Sequence, residues 1–314
     1  MTQLGTIIEF KSTKSIFNML RSFYWYLYGV FFRTLTRISP RLNTIARYYS
    51  NFKCFPNLSN PNTFNEKLLK IKLEKYNNDP LVKQCADKYA VRQYVENLGL
   101  GKILIPLLGK YSKPEDIEWD KLPNRFVIKW NFGCHLNIIC KDKSLLDISA
   151  TIKTLNKWKS KTFHLDHSEL QYDLPDSKKY LIIEPFLDSG GGNSPEDYKL
   201  YCYNGKPLYI LMCTNRRSDG RADYFYFDFD WNFYPFDKDN IEPPINAETY
   251  KPACLKEMYD YASVLSKGFP FVRVDFYEIE KKVYFGELTF TPCACMDQAI
   301  TSEANEILGE HINV

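Results

Sequence analysis

The chain has 314 residues, 45% hydrophobic and 16% aromatic, enough to bury a substantial core and to exclude widespread disorder. Its 41 Lys and Arg against 38 Asp and Glu leave a net +3, which argues against a nucleic-acid partner. Its nine scattered cysteines show no CxxC, which excludes a zinc ribbon or disulfide framework and fits free thiols in a reducing cytoplasm.

The charge is unevenly placed. Residues 1–53 hold Lys11, Lys14, Arg21, Arg33, Arg37, Arg41, Arg47 and Lys53 against Glu9, a segment of +7 ahead of a remainder of −4. Within it lies SFYWYLYGVFF, residues 22–32, with seven aromatics among eleven residues closed off by Arg21 and Arg33. As a helix it covers about 16 Å, half of a bilayer core of roughly 30 Å, so it cannot span. No small-residue cleavage site follows it, which argues against a signal peptide. Two readings stay open: a helix lying in the lipid headgroup region, or a packed helix of an N-terminal substructure with solvated ends.

Residues 61–99 read as helical. Thr63 and Glu66 have capping-box spacing ahead of Leu68, Leu69 and Leu73, and Asp79-Pro80 opens a second helix that runs through Leu98 to Gly99. Strand patterns follow at 103–107, 125–130, 136–140, 181–186, 198–203, 208–213, 224–228, 271–277 and 283–288, with Asn204-Gly205 predicting a two-residue hairpin turn. Helices are expected at 145–160, 252–267 and 302–308, and SGGGNS at 189–194 reads as a mobile loop. Hairpin-linked strands after a helical start indicate an α+β protein. Neither GxGxxG nor a Walker motif is present.

The most informative stretch is FVRVDFYEIEKKVYFGELTFTP, residues 271–292. Alternation places Arg273, Asp275 and Tyr277 on one face of a first strand, and Phe285, Glu287 and Thr289 on one face of a second. A three-residue loop of Glu280, Lys281 and Lys282 sets Asp275 opposite Glu287, at about 4.5–5.5 Å between Cβ atoms; a two-residue turn would send them to opposite faces. Two carboxylates facing each other want a cation between them, and Mg²⁺ suits, since it completes its shell with phosphate oxygens and water. The alternative is a solvated pair of surface acids. Lys129 in RFVIK, Glu184 in YLIIEPF, and Asp197 with Lys199 in DYKLYCYNG are further charges inside apolar runs.

At this point the chain resembles the ATP-grasp ligases. The shared order is Asp87-Lys88 at the head of a helix, Lys129 before a loop, Glu184 in a hinge, the DYK hairpin, and a terminal R-x-D with its E-x-x partner. NPNTFNEKL, ADKYAVRQYV, LPNRFVIKWNFG, DYKLYCYNGK and LGE bring it closer to the TupA-like branch, linked to teichuronopeptide and to capsular or O-antigen polysaccharide biosynthesis. The resemblance covers residues 55–314. It implies two α+β lobes clasping ATP and an acyl phosphate captured by an amine to give an amide. By that resemblance Lys88, Lys129, Glu184 and Phe186 bind ATP, Lys199 approaches its γ-phosphate, and Asp275, Glu287 and Thr289 hold Mg²⁺. Arg273 steadies the oxyanion by the same resemblance, while Arg216 and Arg217, just after a hairpin strand, read either as a bidentate clamp on a substrate carboxylate or as a solvated loop pair. The chain departs from the branch at Asn131-Phe132-Gly133-Cys134-His135, which has one glycine where a His-Gly-Ser-Gly-like loop is usual. It departs from the wider superfamily at Thr289, where Asn is common, and in lacking an evident Rossmann-like first domain.

The domain expectation is a basic aromatic helical segment at 1–53, a helical region at 54–122, a lid lobe at 123–184 and a C-terminal lobe at 185–314. The expected activity joins an amino acid or similar amine to a sugar acid, or an acyl group to an amino sugar, in bacterial surface polysaccharide synthesis. Residues 11–53 are expected to contact the inner face of the cytoplasmic membrane, near a small-molecule or lipid-linked glycan substrate. Two rivals are a glycosyltransferase, from the DxD pattern Asp228-Phe229-Asp230, and a nucleotide-binding protein that has lost catalysis.

Overall fold

The computed structural model describes residues 3–134, 136–190, 195–217 and 221–314, with residues 3–18 and 163 described by backbone only. His135 and most of the glycine-rich loop, residues 191–194, lie outside the described residues. The chain divides into two compact units. One contains residues up to Phe55 with Leu165–Ser168, and the other contains Pro56–His164 and Glu169–Val314.

The first unit is built on α1 (Gln3–Ile38) and α2 (Pro40–Phe52). Ser39 caps α2 by accepting from Leu42 N at 3.3 Å, and Pro40 occupies a first-turn position where no N–H is needed. Asn43 donates to Phe32 O at 2.7 Å, and the Arg47 guanidinium lies 3.8 Å from the Phe32 ring centroid while its Nε donates to Asp166 O at 2.9 Å. Of the aromatics in residues 22–32, Phe32 is buried, while Phe23, Tyr24, Trp25, Tyr26 and Phe31 are exposed. Most of that run is therefore left exposed, and Phe32 is the residue of it that is buried. No helix among the described residues is long and apolar enough to cross a membrane.

The second unit opens with α3 (Phe64–Ile71), which continues as a π-helical turn to Tyr76. Thr63 Oγ1 accepts from Glu66 N at 3.4 Å, but the Glu66 carboxylate accepts from Asn57 N and Asn62 N rather than closing the box on Thr63. The helix expected from Asp79-Pro80 to Leu98 is two, α4 (Pro80–Ala86) and α5 (Val91–Asn97). Asp87 is extended between them and its Oδ1 accepts from Tyr89 N and Ala90 N, a local bond that competes with helix continuation.

Two antiparallel sheets follow. β1 (Gly109–Tyr111), β2 (Phe126–Trp130), β3 (Asn137–Cys140) and β4 (Leu181–Pro185) form a four-stranded sheet in the order β1-β4-β2-β3. Phe126, Ile128 and Trp130 point into a core with Leu181, Ile183 and Leu155 of α6 (Ile148–Lys159). This sheet therefore recruits β1 from ahead of residue 123. β5 (Asp197–Tyr203), β6 (Lys206–Thr214), β7 (Asp223–Phe227), β8 (Phe233–Tyr234), β9 (Val272–Ile279) and β10 (Lys282–Thr289) form the second, in the order β10-β9-β5-β6-β7-β8. Helix α7 (Leu255–Leu265) packs on β5, β6 and β9. Residues 103–107 are not a strand: Gly101–Ile103 is a 3₁₀ turn, Leu104 makes an isolated bridge to Phe285, and Pro106 has no N–H to extend a ladder. The short β1 and β8 escape sequence reading for want of a repeating pattern.

Helix α8 (Ser302–Glu310) returns to α3. Asn65 Nδ2 donates to Asp297 O, its Oδ1 accepts from Asp297 N, and its backbone N–H donates to Asn305 Oδ1, each at 3.0 Å. Lys67 Nζ donates to Gly309 O and Ile312 O at 2.9 and 3.0 Å. Gly309 is required here, since a Cβ would fall 2.6 Å from Phe64 N.

The hairpin of β9 and β10 departs from expectation in an instructive way. Its loop is the two-residue turn Glu280-Lys281, with Ile279 paired to Lys282 and φ of 51° and 58° at the turn. A bulge at Gly286 then shifts the register, so that Phe285 pairs with Phe276 and Glu287 with Asp275. The expected Asp275–Glu287 pairing is present, but it comes from a turn and a bulge. The bulge also moves Phe285 off the Glu287 face to join Phe276, contrary to the simple alternation.

Candidate active site

Because β9 alternates, Val272, Val274 and Phe276 are fully buried on one face while Arg273, Asp275 and Tyr277 line a cavity of 660 Å³ on the other. Pairing of Lys199 with Asp275 across β5 and β9, and of Asp275 with Glu287 across β9 and β10, brings three strands' charges into one row. Asp197 accepts from Arg216 and, at 3.0 Å, from Lys199, which also donates to Asp275 Oδ2 at 2.8 Å. Arg273 grips the same carboxylate with Nε and Nη2, both at 2.7 Å, and donates to Thr289 Oγ1 at 3.1 Å. Thr289 donates in turn to Glu287 Oε1 at 3.1 Å, and Lys88 Nζ stands 4.0 Å from Glu287 Oε2. The row alternates in sign from Arg216 to Lys88.

These groups tune one another. Burial works to raise the Asp275 carboxyl, but Arg273 and Lys199 outweigh it and hold it below its ordinary value. Burial likewise works to lower the Lys199 ammonium, and Asp197 and Asp275 together keep it raised. Tyr277 is pushed well up, first by the charge of Asp197 and then by burial.

The four-stranded sheet supplies the facing side. Lys129 on β2 and Glu184 on β4 lie diagonally across the ladder, outside the apolar face, and pair at 2.7 Å. Burial would lower the Lys129 ammonium, and Glu184 keeps it raised. Both residues line the main cavity and a second one of 210 Å³, where Val127, Ile139 and Phe186 add apolar wall. The loop after β2 is fixed by Asn131, fully buried, whose Nδ2 donates to Asp87 Oδ2 at 2.7 Å and whose Oδ1 accepts from Tyr180 N at 2.8 Å. Lys88 Nζ reaches the Gly133 carbonyl in the same loop.

Of the residues singled out from sequence, Lys88, Lys129, Glu184, Lys199, Arg216, Arg273, Asp275, Glu287 and Thr289 converge on the main cavity, and Phe186 lines the second. Arg217 does not join them: it pairs with Asp223 at 2.5 Å and lines neither cavity. Asp228 of the DxD pattern is a turn former, its Oδ1 accepting from Asp230 N and Asn232 N at 2.9 Å each. Sequence reading missed Glu169, Cys293 and Asp297 in the cavity wall. Glu169 accepts from Thr291 Oγ1 at 2.6 Å, and burial raises its carboxyl against the opposing charge of Lys72. Cys293, Ala294 and Cys295 form a left-handed turn, with φ of 48°, 55° and 63°, a conformation no composition signal announces.

Among the described residues no group of three or more His, Cys, Asp or Glu gathers as a metal cage. Two facing carboxylates and a hydroxyl are the donor set for an ion that keeps water and phosphate oxygens in its shell. The Asp197 Oδ1 atom is buried in the cavity wall with no hydrogen-bond partner among the described residues, an acceptor that a ligand hydroxyl would satisfy.

No match to a curated protein was found. Among solved structures the chain is similar to D-alanine–D-alanine ligase from Bacillus anthracis complexed with ATP, at 17% identity and a TM-score of 0.43, covering 73% of this chain and 65% of that one. It is also similar to L-amino acid ligase from Bacillus licheniformis, at 13% identity and a TM-score of 0.44, covering 81% and 55% of the two chains. The chain thus spans just under two thirds of the length of the first of these. A family model, TupA-like ATP-grasp, matches residues 66–313, a stretch that contains every charged residue of the row from Arg216 to Lys88: the chain belongs to the TupA-like ATP-grasp family.

Proposed function

We propose that the chain is an ATP-dependent carboxylate–amine ligase, joining an amino acid or similar amine to a sugar acid of a bacterial surface polysaccharide or its precursor. The observation that carries this is the alternating row of charges facing Lys129 and Glu184 across one cavity. A carboxylate oxygen attacking the γ-phosphorus of ATP meets an anionic centre, and ADP leaves as the acyl phosphate forms. The amine nitrogen then attacks the acyl carbon, phosphate leaves, and the amine gives up a proton. Each step develops charge that fixed cations neutralise without reorganisation.

In this assignment the four-stranded sheet is the lid and Lys129 meets the ATP phosphates from it. Glu184 and Asp197 take the ribose hydroxyls, and Val127, Ile139 and Phe186 wall the base. Lys88 and Lys199 approach the phosphates, and Arg273 steadies the acyl oxyanion. Arg216 meets the substrate carboxylate without Arg217. Asp275, Glu287 and Thr289 fit Mg²⁺, which when bound supplies positive charge to the phosphate oxygens. A hexuronate as the activated acid and an amino acid as the amine is the first choice, an acylated amino sugar the second. The reaction is placed in the cytoplasm, at the inner face of the membrane where lipid-linked glycans are built.

The test is ADP release over a panel of uronic acids, nucleotide-linked uronates and amino acids. The expected result is ADP and phosphate only when an acid and an amine are both present. Release of UDP from a UDP-sugar without ATP would overturn the assignment.

A further inference from the structure

The basic aromatic segment carries an inference that does not depend on the chemistry of the cavity. In α1, Met19, Phe23, Tyr26, Leu27, Val30 and Phe31 recur at three- and four-residue intervals, which places them on one side of the helix. Every one of them is exposed, Tyr26 at 63% and Phe23 at 58%. Phe32 and Thr36, on another side of the same helix, are the buried ones. They meet the rest of the unit through the Asn43 bond to Phe32 O, the Arg47 guanidinium over the Phe32 ring, and Thr36 Oγ1 donating to Leu165 O at 2.6 Å. The exposed stripe is thus a second apolar face that its own unit leaves uncovered, running about 18 Å along the axis. Leu20 and Tyr24, also exposed, widen it.

Charge says what covers it. The segment from residue 1 to 53 has eight basic residues against one acidic, and Arg37 and Arg41 lie exposed just beyond the stripe. A second copy of this chain would bring the same positive charge to the same place. An anionic lipid surface brings the opposite charge, and its headgroup layer is where Trp, Tyr and Arg are most at ease. The stripe also lacks the length to span, in keeping with a helix that lies on the bilayer. We infer that α1 docks the protein on anionic membrane by laying the stripe from Met19 to Phe31 into the headgroup layer, with Arg37 and Arg41 against lipid phosphate. This deepens the membrane placement given under the proposed function, and it stands whether or not the cavity makes an amide.

The experiment is flotation of the full chain with vesicles of phosphatidylcholine alone and of phosphatidylcholine with phosphatidylglycerol. The expected result is binding to the anionic vesicles, lost when Phe23, Tyr26 and Phe31 are all changed to Glu. Arg37→Ala and Arg41→Ala should each weaken binding about fivefold at low salt, and high salt should do the same to the parent chain. Absence of binding to anionic vesicles by the parent chain overturns the inference. So does equal binding by the Glu variant with its circular dichroism unchanged, or a parent chain that sediments as a dimer which that variant dissolves. Cavity variants such as Glu287→Gln should float as the parent does, so loss of ATP turnover and loss of docking are read separately.

Discussion

Two hairpins in the six-stranded sheet reverse through the same kind of turn and reach it from opposite sequences. β5 and β6 turn through Asn204-Gly205, at φ of 49° and 86°, residue types that enter the left-handed region readily. β9 and β10 turn through Glu280-Lys281 at 51° and 58°, where each residue costs about 1 kcal/mol. Both hairpins carry one register shift, between Tyr201 and Cys202 in the first and at Gly286 in the second. Only the second shift decides which carboxylates face each other. The hairpin built from the less suitable turn is the one whose register the cavity depends on, and its bulge sits one residue from Glu287.

The largest effect should come from breaking the second hairpin's charge row. Asp275→Asn removes the charge that Arg273 and Lys199 share, and should cut ATP turnover by on the order of 10³ and stability by about 3 kcal/mol, read by ADP release and by thermal melting. Next is the bulge. A Cβ at Gly286 would lie 3.0 Å from Asp275 O and 3.2 Å from the Tyr277 ring, so Gly286→Ala should cost about 1–3 kcal/mol and depress turnover with every charged residue intact. Unchanged turnover in that variant would show that the register is not what matters.

Smaller effects separate the turns themselves. Glu280→Asn with Lys281→Gly should stabilise the protein by about 1 kcal/mol and leave turnover alone, while Gly205→Ala in the first hairpin should destabilise it by about as much. The smallest is a pH effect. The folded-state pKa of Asp275 lies below its unfolded value, so its contribution is complete above about pH 3.9 and is lost as the pH falls from there through the lower folded value. Melting temperature should therefore drop less steeply on acidification in Asp275→Asn than in the parent chain.

What could be read from sequence follows the same division. The strands at Phe126–Trp130 and Lys206–Thr214 were legible because burial there alternates or runs continuous, and Asn204-Gly205 because turn chemistry names it. Asp275 and Glu287 were legible as a pair, since their apolar surroundings made two acids conspicuous. The Gly286 bulge was not, because a glycine inside a strand can serve several ends and the register it sets is visible only against the partner strand. Arg217 looked equivalent to Arg216, yet it pairs with Asp223 while Arg216 pairs with Asp197. Glu169, Cys293 and Asp297 lie in irregular segments, where side-chain direction has no period to betray it. The aromatic run at 22–32 was legible as a surface element or a packed one, and the structure divides it: Phe32 packs against Asn43 and Arg47 while Phe23, Tyr24, Trp25, Tyr26 and Phe31 are exposed.

The clasp between α3 and α8 has a bearing on how the second unit comes to be folded. Asn65 and Lys67 find partners from Asp297 to Ile312, more than 230 residues later, and Phe64 stacks edge-on with Phe271 between them. Contacts of such sequence separation close the largest loop in the unit and are entropically the last to be rewarded. The helices from Phe64 onward should therefore be locked only once the last strand pair and α8 are in place. Asn65→Ala should accordingly speed unfolding more than it slows folding, read from the two arms of a denaturant chevron.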